Sequence, residues 1–179
     1  MVILDRDGVI NHDSDDYIKS ADEWIPIPGS LEAIEQLKKA GYLVTVATNQ
    51  SGIARGFYDE AVLQQIHNKM HGLLAERGSS IDGVFYCPHA PWDNCDCRKP
   101  QPGLLFQIAK QFDIDLSVTP FVGDSISDIK AAEIANAKPV MVRTGKGEFV
   151  MQDYLEAIDV PVYDDLAHFV RETLGNRST

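Results

Sequence analysis

The chain has 179 residues, 44% hydrophobic and 24% charged, the make-up of one globular domain with enough apolar material for its own core. Its net charge is −11 and its pI about 4.7, which excludes nucleic acid and anionic membranes as partners but not a small phosphorylated molecule. No apolar run reaches membrane-span length and nothing at the start resembles a signal peptide, so a cytoplasmic protein is expected.

Val2-Ile3-Leu4 reads as a buried strand that ends abruptly in Asp5-Arg6-Asp7, and Gly8 supplies the sharp exit. Two carboxylates delivered together to a strand end repel unless a cation or a proton offsets them. An Asp-rich loop that merely starts early is the plain alternative. His12 to Ile27 is long and polar; Asp13, Asp15 and Asp16 lack the glycine and glutamate of a calcium loop, so the segment is expected to be a flap over the Asp5/Asp7 turn.

Pro28-Gly29-Ser30 opens a helix with Leu31, Ile34 and Leu37 on one face, closed by Gly41. Tyr42 to Thr48 is β-branched and aromatic, hence a strand, and runs into the hydrogen-bonding loop Thr48-Asn49-Gln50-Ser51-Gly52. Taken alone that loop is a plain turn. Asp59 is the expected N-cap of the next helix, with Val62, Ile66, Met70 and Leu73 as its core stripe and His67 and His71 as surface or interface residues. Arg77-Gly78 ends it.

Ile81 to Tyr86 is a third strand. It leads into Cys87, His89, Cys95 and Cys97, which hold all three cysteines of the chain within eleven residues. An odd, clustered set in a chain expected to be cytosolic reads as a metal site, here a Cys₃His zinc centre. Four protein ligands leave no open position, so the zinc is structural and stiffens the loop just before Arg98-Lys99-Pro100; a cluster of free thiols is the alternative. A helix runs from Pro102-Gly103 through Phe112. A short strand from Pro120 to Gly123 ends at Asp124, with Ser125 and Asp128 close behind and a helix carrying Ile129 and Ile134. Pro139 to Arg143 is the fifth strand, and Gly145-Lys146-Gly147 reads as a plain turn without P-loop spacing. Helices over Glu148 to Ala157 and Asp164 to Leu174 flank a last strand, Val160 to Tyr163.

Strands alternating with helices predict an α/β fold, a Rossmann-like doubly wound parallel sheet. One domain is expected over residues 1–179, with a small zinc-binding loop at about 87–97 and no large cap. Asp5, Thr48 and Asp124 each close a strand, so the fold should gather them with Asp7 and Asp128 at the carboxyl edge of the sheet. A magnesium ion would relieve the crowded carboxylates, held by the side chains of Asp5 and Asp124 and the main-chain carbonyl of Asp7. That leaves Asp5 as nucleophile and Asp7 as acid/base. Lys99, the Thr48 hydroxyl and backbone N–H groups near Asn49 would neutralise a transferring phosphoryl group.

The ordered set D-x-D-G, T-N-Q, a lysine before a proline, and G-D-x-x-x-D resembles the haloacid dehalogenase superfamily of phosphotransferases, over Asp5 to Asp128. The resemblance implies Asp5 as nucleophile, Asp7 as acid/base, Lys99 as phosphate stabiliser, Asp124 as magnesium ligand and Asp128 as a supporting acid near Lys99 or the metal. Two branches share the C-x-H…C-x-C-R-K-P loop, the histidinol phosphatases and the heptose-bisphosphate phosphatases of lipopolysaccharide-core precursor synthesis. Thr48 to Gly56 and Arg143 to Gly147 resemble the heptose branch, which implies substrate contacts from Thr48, Asn49, Gln50, Ser51, Arg98 and Lys99. Arg55 joins them on charge and loop position, and Ser125, which stands where a lysine often follows the aspartate, is counted with the substrate-binding residues. A sugar phosphate is the expected partner, for a monomeric enzyme. Two rivals are an enzyme of this class acting on histidinol phosphate and a receiver-type phosphoacceptor domain, which would carry its acceptor at the end of the third strand.

Overall fold

Val2, Ile3 and Leu4 are wholly shielded from water, as an apolar run must be when its strand is covered on both faces. In the computed structural model, which describes residues 1–154 and 159–175, they form β1 (Val2–Leu4), near the middle of an all-parallel sheet. The other strands are β2 (Val44–Asn49), β3 (Gly83–Cys87), β4 (Pro120–Gly123), β5 (Lys138–Val142) and β6 (Val162–Tyr163), in the order β3-β2-β1-β4-β5-β6. This is the doubly wound order, with its reversal between β1 and β4; receiver domains are ordered 2-1-3-4-5 instead, so that rival fails on topology.

Alternation along the strands divides the core between two faces. Val2, Leu4, Val44, Val46 and Val122 pack against α1 (Ser30–Lys39), α2 (Glu60–Glu76) and α6 (Leu166–Gly175). Ile3, Ala47 and Phe121 face α3 (Gly103–Phe112) and α4 (Ile126–Ile134). Met141 of β5 meets Val150 and Met151 of α5 (Gly147–Tyr154). Asp59 caps α2 as expected, accepting from Val62 N at 2.9 Å, and Gly41 has the left-handed φ of 82° that ends α1.

The structure moves some boundaries. β3 starts later than expected and takes in Cys87, and β5 begins one residue earlier. The buried face of α2 is Leu63, Ile66, His67, Met70 and Leu74, with Val62 and Leu73 half-buried at its margin. His67 is therefore a core residue and not the surface or interface histidine of the sequence reading: periodicity locates the face, but a polar residue on it reads as exposed until its partner is known. Of the two isoleucines on α4, Ile129 is buried and Ile134, its last residue, is exposed. Residues 155–157 of the expected fifth helix lie outside the described residues. No helix among the described residues is long and apolar enough to cross a membrane.

Candidate active site

β1 and β4 deliver Asp5 and Asp124 side by side at the switch point, the place where ligands bind in open α/β sheets. Two glycines let the chain close around them. Gly8 (φ 80°) and Gly145 (φ 60°) take left-handed conformations, and a Cβ on either would collide with Asp124 Oδ2. The same Oδ2 accepts from Lys146 N at 2.8 Å, and Thr144 Oγ1 donates to Gly8 O at 2.6 Å. The loops after β1, β4 and β5 are thus bound into one floor.

Lys99 supplies the cation beneath that floor. Its ammonium pairs with Asp5 Oδ1 at 2.9 Å and Asp128 Oδ1 at 2.6 Å and donates to Ala47 O at 2.8 Å. Asn49 pins its backbone, accepting from Lys99 N and donating to Lys99 O, both at 3.0 Å. Burial disfavours the charge on Lys99, but Asp128 and Asp5 outweigh it and hold its pKa above the ordinary lysine value. Asp5 is pushed up to about 7, by burial first and then by the neighbouring charges of Asp128 and Asp7, against the pull of Lys99. Burial, Asp128 and Asp5 likewise raise Asp124 well above the carboxylate range.

Carboxylate oxygens of Asp5, Asp124 and Asp128 lie within 4.8 Å of one another. Buried oxygens that resist ionisation for lack of countercharge suit a hard divalent cation. Asp128 is already committed, with Oδ1 on Lys99 and Oδ2 accepting from Ser125 N at 3.1 Å and Ser125 Oγ at 2.6 Å. Asp5 and Asp124 remain as the side chains with capacity for a metal.

Asp7 sits in a different field. Asn11 Nδ2 donates to its Oδ1 at 2.8 Å, Gln50 Nε2 to its Oδ2 at 2.9 Å, and Arg6 Nη2 to both oxygens at 3.0 Å. Burial alone would raise its pKa, but the Arg6 charge and these hydrogen bonds hold it below the ordinary value. Gln50 also donates to Thr48 Oγ1 at 2.9 Å, which leaves the Thr48 proton free for the crevice, and its Oε1 accepts from Arg6 and Tyr58.

The crevice above has a volume of about 280 Å³ and is lined by Asp5, Asp7, Thr48, Asn49, Gln50, Ser51, Arg98, Lys99, Asp124 and Ser125. Flap residues Asp13, Ser14, Asp15, Tyr17 and Ile18 overhang it, as expected for residues 12–27. Trp24, wholly buried, anchors the flap, and Lys69 of α2 donates to Ala21 O and Trp24 O at 2.7 and 2.8 Å. Arg55 does not reach the crevice wall; its guanidinium stacks 4.7 Å over the Trp92 ring and 6.0 Å from that of Tyr17. On a neighbouring loop Cys87, His89, Cys95 and Cys97 converge, with Cys87 Sγ 3.6 Å from Cys95 Sγ, Cys97 Sγ 3.0 Å from Cys87 Sγ, and His89 Nδ1 3.3 Å from Cys97 Sγ. Zinc–sulfur bonds of about 2.3 Å put tetrahedral ligand atoms roughly 3.7 Å apart, close to these separations, so the four donors fit a tetrahedral ion. Arg98 Nη1 donates to His89 O at 3.1 Å and joins this cluster to the crevice.

The sequence reading missed Arg6, Asn11, Tyr58, Ser127 and Lys146. Lys146 reads as part of a turn, yet it lines the crevice and its ammonium lies 3.2 Å from Asp13 Oδ2 of the flap. The one signal for Arg6 was its place between two carboxylates, where a cation is the natural counterion.

The comparisons with known proteins agree with this geometry. The model of the haloacid dehalogenase-like hydrolases matches residues 2–136. The D-glycero-beta-D-manno-heptose-1,7-bisphosphate 7-phosphatase of Pseudomonas aeruginosa is 56% identical over 167 residues, 93% of each chain, and that of Bordetella bronchiseptica 48% over 174 residues, 97% of each. A crystal structure of the D,D-heptose 1,7-bisphosphate phosphatase from B. bronchiseptica, complexed with magnesium and phosphate, superposes with a TM-score of 0.95 at 48% identity over 98% of both chains. The enzyme from Burkholderia thailandensis gives 0.73 at 44% identity over 97% of both. The chain belongs to the haloacid dehalogenase-like hydrolases and is closely related, along nearly its whole length, to the D-glycero-beta-D-manno-heptose-1,7-bisphosphate 7-phosphatases.

Proposed function

We propose that the chain hydrolyses the C7 phosphate of D-glycero-D-manno-heptose 1,7-bisphosphate through an aspartyl-phosphate, supplying lipopolysaccharide-core precursors. The observation that carries this reading is the Asp5–Lys99 pair at the switch point. Lys99 and Arg6 N, the latter at 2.7 Å, occupy Asp5 Oδ1, so Oδ2 is the oxygen left to attack phosphorus. Lys99, the Thr48 hydroxyl and backbone N–H groups near Asn49 take up charge on the transferring oxygens. Magnesium, held by Asp5, Asp124 and the Asp7 carbonyl, would supply further charge neutralisation on that phosphoryl group.

As Asp5 forms its bond to phosphorus, the bond from phosphorus to the C7 oxygen breaks and Asp7 protonates that oxygen. Asp7 then takes a proton from water, whose oxygen attacks the aspartyl-phosphate and frees Asp5 and inorganic phosphate. Arg6 keeps Asp7 ionised in the resting site; the dianionic substrate is a like charge that raises its proton affinity, so the proton arrives with the substrate. Ser51, Ser125 and Arg98 on the crevice wall face the rest of the substrate, and the Arg98 fork suits its second phosphate. The Cys87, His89, Cys95 and Cys97 cluster would hold a structural zinc that fixes Arg98 and Lys99. One domain with no large cap leaves the crevice open to a small sugar phosphate, and the enzyme acts as a monomer.

The test is Mg²⁺-dependent phosphate release from both anomers of the heptose bisphosphate, with histidinol phosphate and an aryl phosphate alongside. A large kcat/KM preference for one heptose anomer is expected. Equal, slow turnover of all four would overturn the substrate assignment, and normal turnover by Asp5→Asn would overturn the mechanism.

A further inference from the structure

His67 sits in the middle of the buried face of α2, among Leu63, Ile66, Met70 and Leu74. Its Nε2 lies 3.2 Å from Arg6 Nη1. Arginine can only donate, so Nε2 carries the lone pair and the ring is the acceptor. Burial, and then the Arg6 charge, push the His67 pKa down to about 3, so the acceptor stays neutral at working pH. Arg6 is 1% exposed and turns its other donors to the acid/base carboxylate and its neighbour: Nε reaches Asp7 Oδ1 at 3.3 Å, and Nη2 reaches both Asp7 oxygens at 3.0 Å and Gln50 Oε1 at 3.1 Å.

We propose that His67 is a positioning residue for proton transfer: by holding one arm of the Arg6 fork, it fixes the orientation of Asp7. This rests on the acid/base role given to Asp7 above. The guanidinium is planar and turns as a unit. Without the His67 acceptor, Nη1 would be a buried donor with no partner, a state that carries a desolvation penalty. The fork then swings toward other acceptors and carries Asp7 with it. The nucleophile side is untouched, because Lys99 and Asp5 share no hydrogen bond with Arg6 beyond its backbone N–H.

Loss of acid positioning has a signature that loss of packing lacks. A sugar alkoxide must be protonated as it leaves, whereas a 4-nitrophenolate need not be. Single-turnover transfer to Asp5 is therefore measured with heptose 1,7-bisphosphate and with 4-nitrophenyl phosphate. Asp7→Asn sets the reference, with a large loss on the sugar phosphate and a small one on the aryl phosphate. His67→Phe, which keeps bulk without the acceptor, should lose about tenfold on the sugar phosphate, a fraction of what a general acid supplies. On the aryl phosphate it should lose less than about twofold, with KM nearly unchanged, and His67→Gln should restore most of the rate. Should His67→Phe not fold, His67→Leu is read the same way. Equal losses on both substrates, no loss, or no rescue by glutamine overturns the proposal. If Asp7→Asn itself loses equally on both, the acid role of Asp7 falls and this inference with it; if only the His67 variants lack selectivity, this inference alone falls.

Discussion

Lys99 Nζ lies 2.6 Å from Asp128 Oδ1, and neither side chain is more than 2% exposed. Removing Asp128 takes away one of the two anions that hold the buried Lys99 charge and leaves Asp5 at 2.9 Å, so the cost falls below the about 3–5 kcal/mol of a fully uncompensated charge. Asp128→Ala should therefore lower the melting temperature by about 5 °C, at roughly 2–4 °C per kcal/mol for a chain of this size. It should also cut kcat by at least about tenfold, because Lys99 loses the anion that opposes Asp5 across it. Thermal unfolding and steady-state kinetics decide; a melting point within about 2 °C of the parent would mean that water replaces the pair.

The carboxylates of the floor predict how metal and pH interact. Asp5 titrates near 7 and Asp124 well above the usual range, so between about pH 4 and 7 the native state binds more protons than the unfolded chain. Metal-free stability contributed by these groups is present at low pH and falls as pH rises through that window. Magnesium competes with the same protons, so its stabilisation must run the opposite way. The shift in melting temperature on adding Mg²⁺ should be small at about pH 5 and keep growing through about pH 7, where Asp5 is still losing its proton. A shift that is the same at both ends would place the metal on other oxygens.

The thiol cluster gives a separate prediction. Burial opposes the Cys95 thiolate, but the Arg98 N–H and the neighbouring Cys97 and Cys87 outweigh it and bring the group down to about 7. A thiolate is thus available near neutrality, as a zinc ligand must be. Purified protein should carry close to one zinc, and a strong chelator should remove it faster as pH falls and the thiolates protonate. Because Arg98 hangs from His89 O, zinc loss should raise KM more than it lowers kcat. Protein that is fully active and equally stable with no zinc would reduce the cluster to free thiols.

The sequence carried the sheet and the chemistry of its carboxyl edge, because both are local. Apolar runs end at Asp5, Thr48 and Asp124 in β1, β2 and β4, and parallel connections then force those ends together. What it did not carry is which polar side chains turn inward. Asn49 and Gln50 read as substrate contacts and both line the crevice; what the sequence did not show is that the side chain of Asn49 also holds the Lys99 backbone and that of Gln50 also holds Asp7 and Thr48. His67 looked superficial for the same reason: its partner lies sixty-one residues away, and no periodicity encodes it.

Arg55 separates charge from position most sharply. Its loop places a cation near a phosphate site, but the guanidinium lies over Trp92 and beside Tyr17, which itself meets Phe57 at 5.1 Å between ring centroids. Tyr17 has φ 66°, a left-handed conformation that costs a bulky residue about 1–3 kcal/mol and persists only under outside constraint. The stack supplies part of that constraint and ties together the flap, the loop after β2 and the thiol loop. An exposed cation–π contact contributes about 0.5–1 kcal/mol, or roughly two- to fivefold in an equilibrium constant. Arg55→Met should therefore raise KM by about that factor through a looser flap, with kcat unchanged and little dependence on salt. A direct phosphate ligand would behave otherwise, since a lost charge-assisted hydrogen bond is roughly twice as costly and its effect on KM shrinks as salt screens the charge. A rise in KM of about a hundredfold that diminishes with ionic strength would return Arg55 to the substrate and take the stack out of the flap's support.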